Sequence, residues 1–196
     1  FWDPSSLVRD NTLITAANDP AYDPDEYYYT DAISDHAVAF IREHSRDHAR
    51  APFLLYVAYT AAHWPMHARE RAIANYKGRY DAGYTTIRAA RWAKQKQLGV
   101  ADAAWGLAPQ TGEWDKVQNK EFEARCMEVY AGMLTTLDEG VGRIVAELKA
   151  AGRFENTLIC YLQDNGGCAE VMGRTGDFKP RAAQPSLPAM PKDAPQ

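Results

Sequence analysis

Asn156-Thr157-Leu158-Ile159-Cys160-Tyr161-Leu162-Gln163-Asp164-Asn165-Gly166-Gly167 is an apolar run that ends abruptly in a carboxylate, an amide and two glycines. Positions 158–162 are apolar on both faces of the pleat, which suits a strand of a parallel sheet covered by helices on either side. The polar cluster then falls at the strand's carboxyl end, the edge of an open α/β sheet where ligands bind. Asp164 and Asn165 offer adjacent oxygens to a hard cation, and Gly166-Gly167 lets backbone approach closely. Asp-Asn-Gly is also an ordinary turn sequence. A hairpin turn needs a second alternating apolar strand, however, and Cys168-Ala169-Glu170-Val171-Met172-Gly173-Arg174 before a Pro-rich tail does not supply one.

The segment feeding this run, 121–150, has the cleanest periodicity in the chain. Met127, Tyr130, Leu134, Leu137, Val141, Ile144 and Leu148 alternate steps of three and four, predicting a long amphipathic helix that packs on the sheet and ends near Gly152 as its C′ residue. The repeat is too short for a coiled coil, and a strand follows at once.

The pattern of a strand followed by polar residues occurs a second time. Pro52 stops an earlier unit, and Phe53-Leu54-Leu55-Tyr56-Val57-Ala58-Tyr59 reads as a buried parallel strand that runs into Thr60-Ala61-Ala62-His63-Trp64-Pro65. His63, just past the strand's carboxyl end, can donate to an anion or protonate a leaving group. A structural hydrogen-bonding role is the plainer alternative. His67 lies four residues on, but Pro65 prevents a regular helical turn between them, so the two do not read as a metal pair.

Elsewhere, Thr30 is placed to cap a helix over 31–47, with Asp31 in its first turn and an apolar face at Ile33, Ala37, Phe40 and Ile41. His44 and His48 stand four apart at its end, yet the Glu of His-Glu-x-x-His is missing and a solvated last turn is the plainer reading. Residues 1–29 are turn-rich, with a short strand expected at 12–15. The acidic cluster Asp19, Asp23, Asp25 and Glu26 lacks the glycine and terminal glutamate of an EF-hand. From 69 to 98 the pattern is helical, with Tyr80, Tyr84, Ile87 and Arg91 in step and Arg88, Arg91, Lys94 and Lys96 spread outside. A basic face beside Trp92 suits an anionic substrate or polymer, the alternative being a solvated surface. Residues 99–119 form a loop containing Trp105 and Trp114, and the Pro/Ala-rich tail 173–196 is expected to be disordered. The order helix, strand, helices, strand is that of a parallel α/β sheet with helical crossovers.

With 196 residues, 46% of them hydrophobic, the chain can bury a core and is most simply one domain or a large piece of one. Its formal charge of −4 argues against nucleic acid as the main partner. The apolar runs are strand-length, far below the ~20 residues of a bilayer helix. Three cysteines, Cys126, Cys160 and Cys168, are too scattered for a disulfide framework or a zinc site. The chain begins Phe1-Trp2-Asp3-Pro4 and reads as an internal fragment.

On three motifs the chain resembles the sulfatase family, the formylglycine-dependent arylsulfatases of the alkaline phosphatase-like superfamily. They are Pro52 through His63-Trp64-Pro65, Tyr76-Lys77-Gly78-Arg79-Tyr80-Asp81-Ala82-Gly83-Tyr84, and Asn156 through Asp164-Asn165-Gly166-Gly167. The resemblance implies a partial α/β domain of that type, its central part at 1–172. It assigns Asp164 and Asn165 as two ligands of one Ca²⁺ ion, and His63 to binding the sulfate and helping the leaving oxygen depart. The implied substrate is a sulfated small molecule or polysaccharide, and the implied location periplasmic or extracellular. The residue types agree with that chemistry, since calcium withdraws charge from sulfate oxygens and a cationic imidazole stabilises the oxygen that gains it.

The chain also departs from the family pattern. The formylglycine nucleophile arises from the first residue of Cys-x-Pro-Ser-Arg or a close variant, and no cysteine here has proline two positions on. Ser186-Leu187-Pro188-Ala189-Met190 lacks the arginine and follows Asp164 instead of preceding it. The amino-terminal Asp-Asp ligands, the Gly-Lys-Trp-His segment and a lysine in a core context are absent as well, Lys179 and Lys192 lying in the tail. The isolated chain is therefore expected to be inactive. Two alternatives remain: a phosphatase or phosphodiesterase of the same superfamily, whose zinc sites favour histidine where Asn165 stands, and a noncatalytic α/β interaction module in which Asp164-Asn165-Gly166-Gly167 is only a turn.

Overall fold

The computed structural model describes Trp2, Pro4 and residues 7–167. Cys168, Lys179, Lys192, the 186–190 segment and the tail 173–196 lie outside the described residues. Two compact units are distinguished, one built from the described residues up to His67 and from Thr136 on, the other from Ala68–Thr135.

The first unit opens with an antiparallel hairpin of β1 (Leu7–Arg9) and β2 (Thr12–Ile14), Leu7 facing Ile14 and Arg9 facing Thr12. Asp10 and Asn11 form its two-residue loop with φ of 49° and 64°. Left-handed backbone at both central positions matches strand twist, and Asp and Asn are among the residues that tolerate it. The short strand expected at 12–15 is thus the second arm, and Asp10-Asn11 is the sequence cue to the first.

Helix α1 (Tyr29–Asp47) begins two residues earlier than expected. Tyr28 occupies the cap with extended backbone and no capping side chain, while Thr30 lies inside the helix and is buried. The inward face is Thr30, Ala32, Ser34, Ala37 and Ile41, and Phe40 is half exposed. Small residues serve that face because another helix approaches it closely. Within this unit, α4 (Lys120–Ala150) passes so near that a Cβ on Gly140 would lie 2.2 Å from Ser34 Oγ and 2.8 Å from Tyr59 Oη. The pairs Ser34/Gly140 and Arg42/Glu147, the latter an ion pair at 2.6 Å, show α1 and α4 running in the same direction. Arg143 reaches Asp31 at 3.2 Å and also binds Asp35.

The end of α4 follows expectation. Gly152 takes φ 67°, its N–H binds the Lys149 carbonyl at 3.0 Å, and the Arg153 N–H binds the Leu148 carbonyl at 2.9 Å. This is a Schellman closure with glycine at C′. The buried stripe of α4 is narrower in side-chain size than the periodicity suggests: Ala124, Ala131, Met133, Thr136, Leu137 and Leu148 are buried, whereas Tyr130 is exposed.

The parallel sheet predicted from 53–59 and 158–162 is not formed among the described residues, whose one sheet is the β1–β2 hairpin. Extended backbone becomes a strand only through a ladder to a neighbour. Residues 53–59 alternate between half-buried and exposed, with Leu54 97% exposed, and 158–162 are exposed throughout, Leu158 to 89%. Neither run is the buried strand that its apolar composition predicts.

In the second unit the single helical stretch expected over 69–98 is two helices, α2 (Glu70–Ala74) and α3 (Gly83–Gln97). Gly83 has φ 76°, and a Cβ there would sit 2.2 Å from the Trp114 ring, so the chain can turn and start α3 under that indole. A second close approach, Gly132 of α4 against the Ile73 backbone nitrogen at 3.1 Å from a notional Cβ, seats α2. The Gly78 N–H donates to Glu128 at 2.7 Å, and Arg125 bridges Glu128 and Glu70. Hydrogen bonding by Gly78, and then by Arg125, holds the Glu128 carboxyl below the usual carboxylate range.

Candidate active site

His63 sits on an exposed turn after the extended run, its N–H closing onto the Thr60 carbonyl at 2.9 Å. Its Nδ1 lies 2.7 Å from the Trp64 carbonyl oxygen, which can only accept. Nδ1 therefore carries the proton, and Nε2 faces outward, able to accept when the ring is neutral and to donate when it is cationic. The indole of Trp64 stands 5.4 Å from the imidazole.

The turn is held from beneath by polar side chains on α1. Ser34 Oγ donates to the Thr30 carbonyl at 2.9 Å, so at the 2.8 Å contact between Ser34 and Tyr59 it is the phenol that donates. Burial raises the Tyr59 pKa, keeping that proton in place. On the far side, fully buried Tyr28 donates to the His67 carbonyl at 2.7 Å. His67 is half-buried, and that burial lowers its pKa.

Asp164 and Asn165 follow the second extended run and are exposed. The Asn165 side-chain nitrogen donates to the Gly166 carbonyl at 2.8 Å, and its amide oxygen has no hydrogen-bond partner among the described residues. Two hard oxygens side by side fit calcium in kind, but such an ion takes about six to eight. Among the described residues no cluster of three or more His, Cys, Asp or Glu is placed to hold a metal. Among them, too, no hydrogen bond or ion pair joins His63 to Asp164 or Asn165.

The remaining candidates resolve into structural roles. His44 Nε2 contacts the Ala51 carbonyl at 3.0 Å, the His48 N–H closes onto the His44 carbonyl at 2.8 Å, and the two rings lie 5.8 Å apart beside an apolar groove of about 310 Å³ lined by Phe40, Ile41, Phe53 and Leu55. Asp19, from the acidic cluster near the amino terminus, is an ion-pair partner: Arg9 clamps it through two bonds of 3.0 and 2.6 Å. The Arg9 guanidinium also reaches His36 Nε2 at 3.2 Å, which requires a neutral imidazole there. Burial, then the Arg9 charge, lowers the His36 pKa, and the Arg9 hydrogen bonds lower that of Asp19. Sequence reasoning passed over this Arg9–Asp19–His36 cluster because its members are 10 and 27 residues apart with no motif joining them.

The family model described as Sulfatase matches residues 3–187 of the chain. An uncharacterized sulfatase of Schizosaccharomyces pombe is 38% identical over 126 residues, covering 61% of this chain and 23% of the relative. An arylsulfatase of Klebsiella aerogenes is 31% identical over 147 residues, 73% of this chain and 31% of that enzyme. An extracellular sulfatase SULF-1 homolog of Drosophila melanogaster is 26% identical over 139 residues, 71% of this chain and 12% of that protein. The chain thus spans less than a third of the length of each of these relatives.

Proposed function

The chain belongs to the sulfatase family, and from that premise we propose that it forms the central part of a catalytic domain that hydrolyses a sulfate ester. The observation that carries the proposal is a repeated unit. A helix, a short turn and an extended apolar run occur twice, ending once in His63 and once in Asp164-Asn165. α1 and α4 run in the same direction, so runs turned back along each of them would point the same way, as a parallel α/β sheet requires once neighbouring strands pair with both. The chemical residues then gather at one sheet edge.

In that arrangement His63, with Nδ1 committed to Trp64, offers Nε2 to the sulfate and to the departing oxygen. Asp164 and the amide oxygen of Asn165 would hold calcium, which when bound withdraws charge from the sulfate oxygens. Asn165 favours calcium over the zinc of the related phosphatases, because an amide oxygen is a hard ligand. No helix among the described residues is long and apolar enough to cross a membrane. Export of the protein, as the name of the Drosophila relative indicates for that relative, is part of this reading.

Sulfate release from an aryl sulfate tests it, measured for the 196-residue chain and for a longer product of the same reading frame that carries the nucleophile motif. The chain alone should be inert. In the longer product, His63→Ala should lower kcat by about 10²- to 10⁴-fold, and Asp164→Ala should raise the calcium concentration needed for half-maximal activity. Unchanged turnover in His63→Ala, or a preference for phosphate over sulfate esters, would overturn it.

A further inference from the structure

His63 is exposed, and its imidazole is held through Nδ1 on the Trp64 carbonyl, a group that moves with the turn itself. Where Nε2 stands therefore depends on what holds the turn. Residues 60–66 lie between two side-chain anchors, Tyr59 on Ser34 at 2.8 Å and the His67 carbonyl on Tyr28 at 2.7 Å, and His63 is the middle residue of that span. Both anchors stand on one base. Tyr28 is the cap of α1, its carbonyl accepting the Ala32 N–H at 2.9 Å, and Ser34 follows in the same helix. A loop pinned at both flanks to one rigid helix keeps its midpoint within a narrow range of positions.

Tyr28 is fully buried, with the Trp2 ring 4.7 Å from its own. A phenylalanine there would fill the same space with no polar atom to satisfy. Burying a phenol costs free energy unless an acceptor is supplied, and here the acceptor is the backbone of the segment that follows His63. Tyr22 provides the contrast. Its phenol also donates to α1, to the Asp35 carboxylate at 2.7 Å, and makes no hydrogen bond to 60–67 among the described residues.

We propose that Tyr28, with Tyr59 as its counterpart, is a positioning residue for sulfate-ester cleavage, setting Nε2 of His63 where the departing oxygen forms. The assignment rests on the hydrolytic reading of the domain. As the S–O bond breaks, its electron pair stays on the leaving oxygen and the sulfur passes to the nucleophile of the longer product. Cationic His63 gives its Nε2 proton to that oxygen. Misplacing a reacting group by about 1 Å costs on the order of 10²-fold in rate. The loss is greatest for a basic leaving oxygen, which needs the proton, and least for an activated one, which departs without it.

Sulfate release by the longer product, measured on aryl sulfates of graded leaving-group basicity, tests the proposal. Tyr28→Phe should lower kcat about tenfold on phenyl sulfate and about twofold or less on 4-nitrophenyl sulfate, with KM nearly unchanged. Tyr59→Phe should tilt the series in the same sense, and it decides the matter if Tyr28→Phe does not fold. Tyr22→Phe, which deletes a comparable bond to α1 away from the turn, should leave the series unchanged. In a His63→Ala background Tyr28→Phe should have no further effect, because it acts through that imidazole. In the 196-residue chain, exchange of the His63 amide, closed on the Thr60 carbonyl, should be several-fold faster in Tyr28→Phe than in wild type. A loss uniform across the series, an undiminished loss in the His63→Ala background or an unchanged exchange rate would each overturn the proposal and leave the hydrolytic reading standing. Unchanged turnover in His63→Ala itself would overturn both.

Discussion

Residues 53–67 and 158–167 share one design, an apolar run ending in polar chemistry, yet among the described residues contacts from the rest of the chain tie down only the first. Tyr59 is anchored on Ser34, His67 on Tyr28 and the His63 turn on Thr60, whereas the contact that organises the second segment is Asn165 onto its neighbour Gly166. The difference lies in what packs beneath each. Small residues on α1 and Gly140 of α4 leave room for the Tyr59 phenol, so the first run has a floor. Beneath the second run, whose residues 158–167 are all exposed, no such floor exists among the described residues. An apolar sequence pattern states what a segment needs to bury; whether burial occurs depends on the elements available to cover it.

The widest consequence is kinetic. In the 196-residue chain, chymotrypsin should cut at Tyr161 and Leu162 roughly tenfold or more faster than at Tyr56 and Tyr59, since cleavage follows local opening. Mass mapping of a digestion time course decides the matter, and equal rates would erase the contrast. Addition of the neighbouring strands in a longer product should protect both segments.

The floor itself can be removed from within. In an open helical position glycine to alanine is stabilising by about 1 kcal/mol, and Gly142, with nothing within 4 Å of a Cβ, should behave so. At Gly140 the sign should reverse. A methyl would meet Ser34 Oγ at 2.2 Å and force α1 and α4 apart. Gly140→Ala should cost about 1–3 kcal/mol in denaturant unfolding, and Gly140→Val more.

These glycines mark the limit of what the sequence conveys. The periodicity of 121–150 located α4 to within a residue, and Gly152 announced its end, because both follow from local backbone chemistry. Thr30 looked like a cap and Tyr130 like core for the same local reasons. Tertiary approach overrode both: at Gly140 the tight α1–α4 contact draws Thr30 and Ser34 inward, and at Gly132 the close approach of α2 favours small residues of α4 over large ones. Candidate site residues were legible as residue types at the ends of apolar runs. Whether they gather was not legible, because that depends on strand pairing that no local pattern specifies.

A weaker effect acts on the first region through the outer side of α1. Arg9 binds Asp19 and His36 together, fastening the hairpin to the helix. Both partners have folded-state pKa values below their ordinary ones. The stability they contribute is therefore present above the unfolded pKa values, about 6.5 for His36 and 3.9 for Asp19, and is lost as pH falls through the folded ones. Unfolding free energy should decline below about pH 6.5 and again below about pH 4. Asp19→Asn should lose about 1–2 kcal/mol at pH 7 and flatten the lower limb. Residues 158–167 should show no change in digestion rate in this variant.

The smallest test isolates the single hydrogen bond on which the comparison turns. Tyr59→Phe deletes the phenol oxygen and leaves the ring, while Ser34→Ala deletes its acceptor along with the Ser34–Thr30 contact. Each should cost about 1 kcal/mol. The double variant should cost less than the sum, because once one partner is gone the other has nothing left to lose at that contact. The remaining deficit in Ser34→Ala measures the bond to Thr30, and it belongs to α1 alone. If the two losses add fully, Tyr59 and Ser34 are not bound to each other in solution, and the turn carrying His63 is as loosely held as the segment carrying Asp164. With measurable coupling, Tyr59→Phe should speed cleavage at Tyr56 and leave cleavage at Tyr161 unchanged, because the bond acts only on the run that reaches α1.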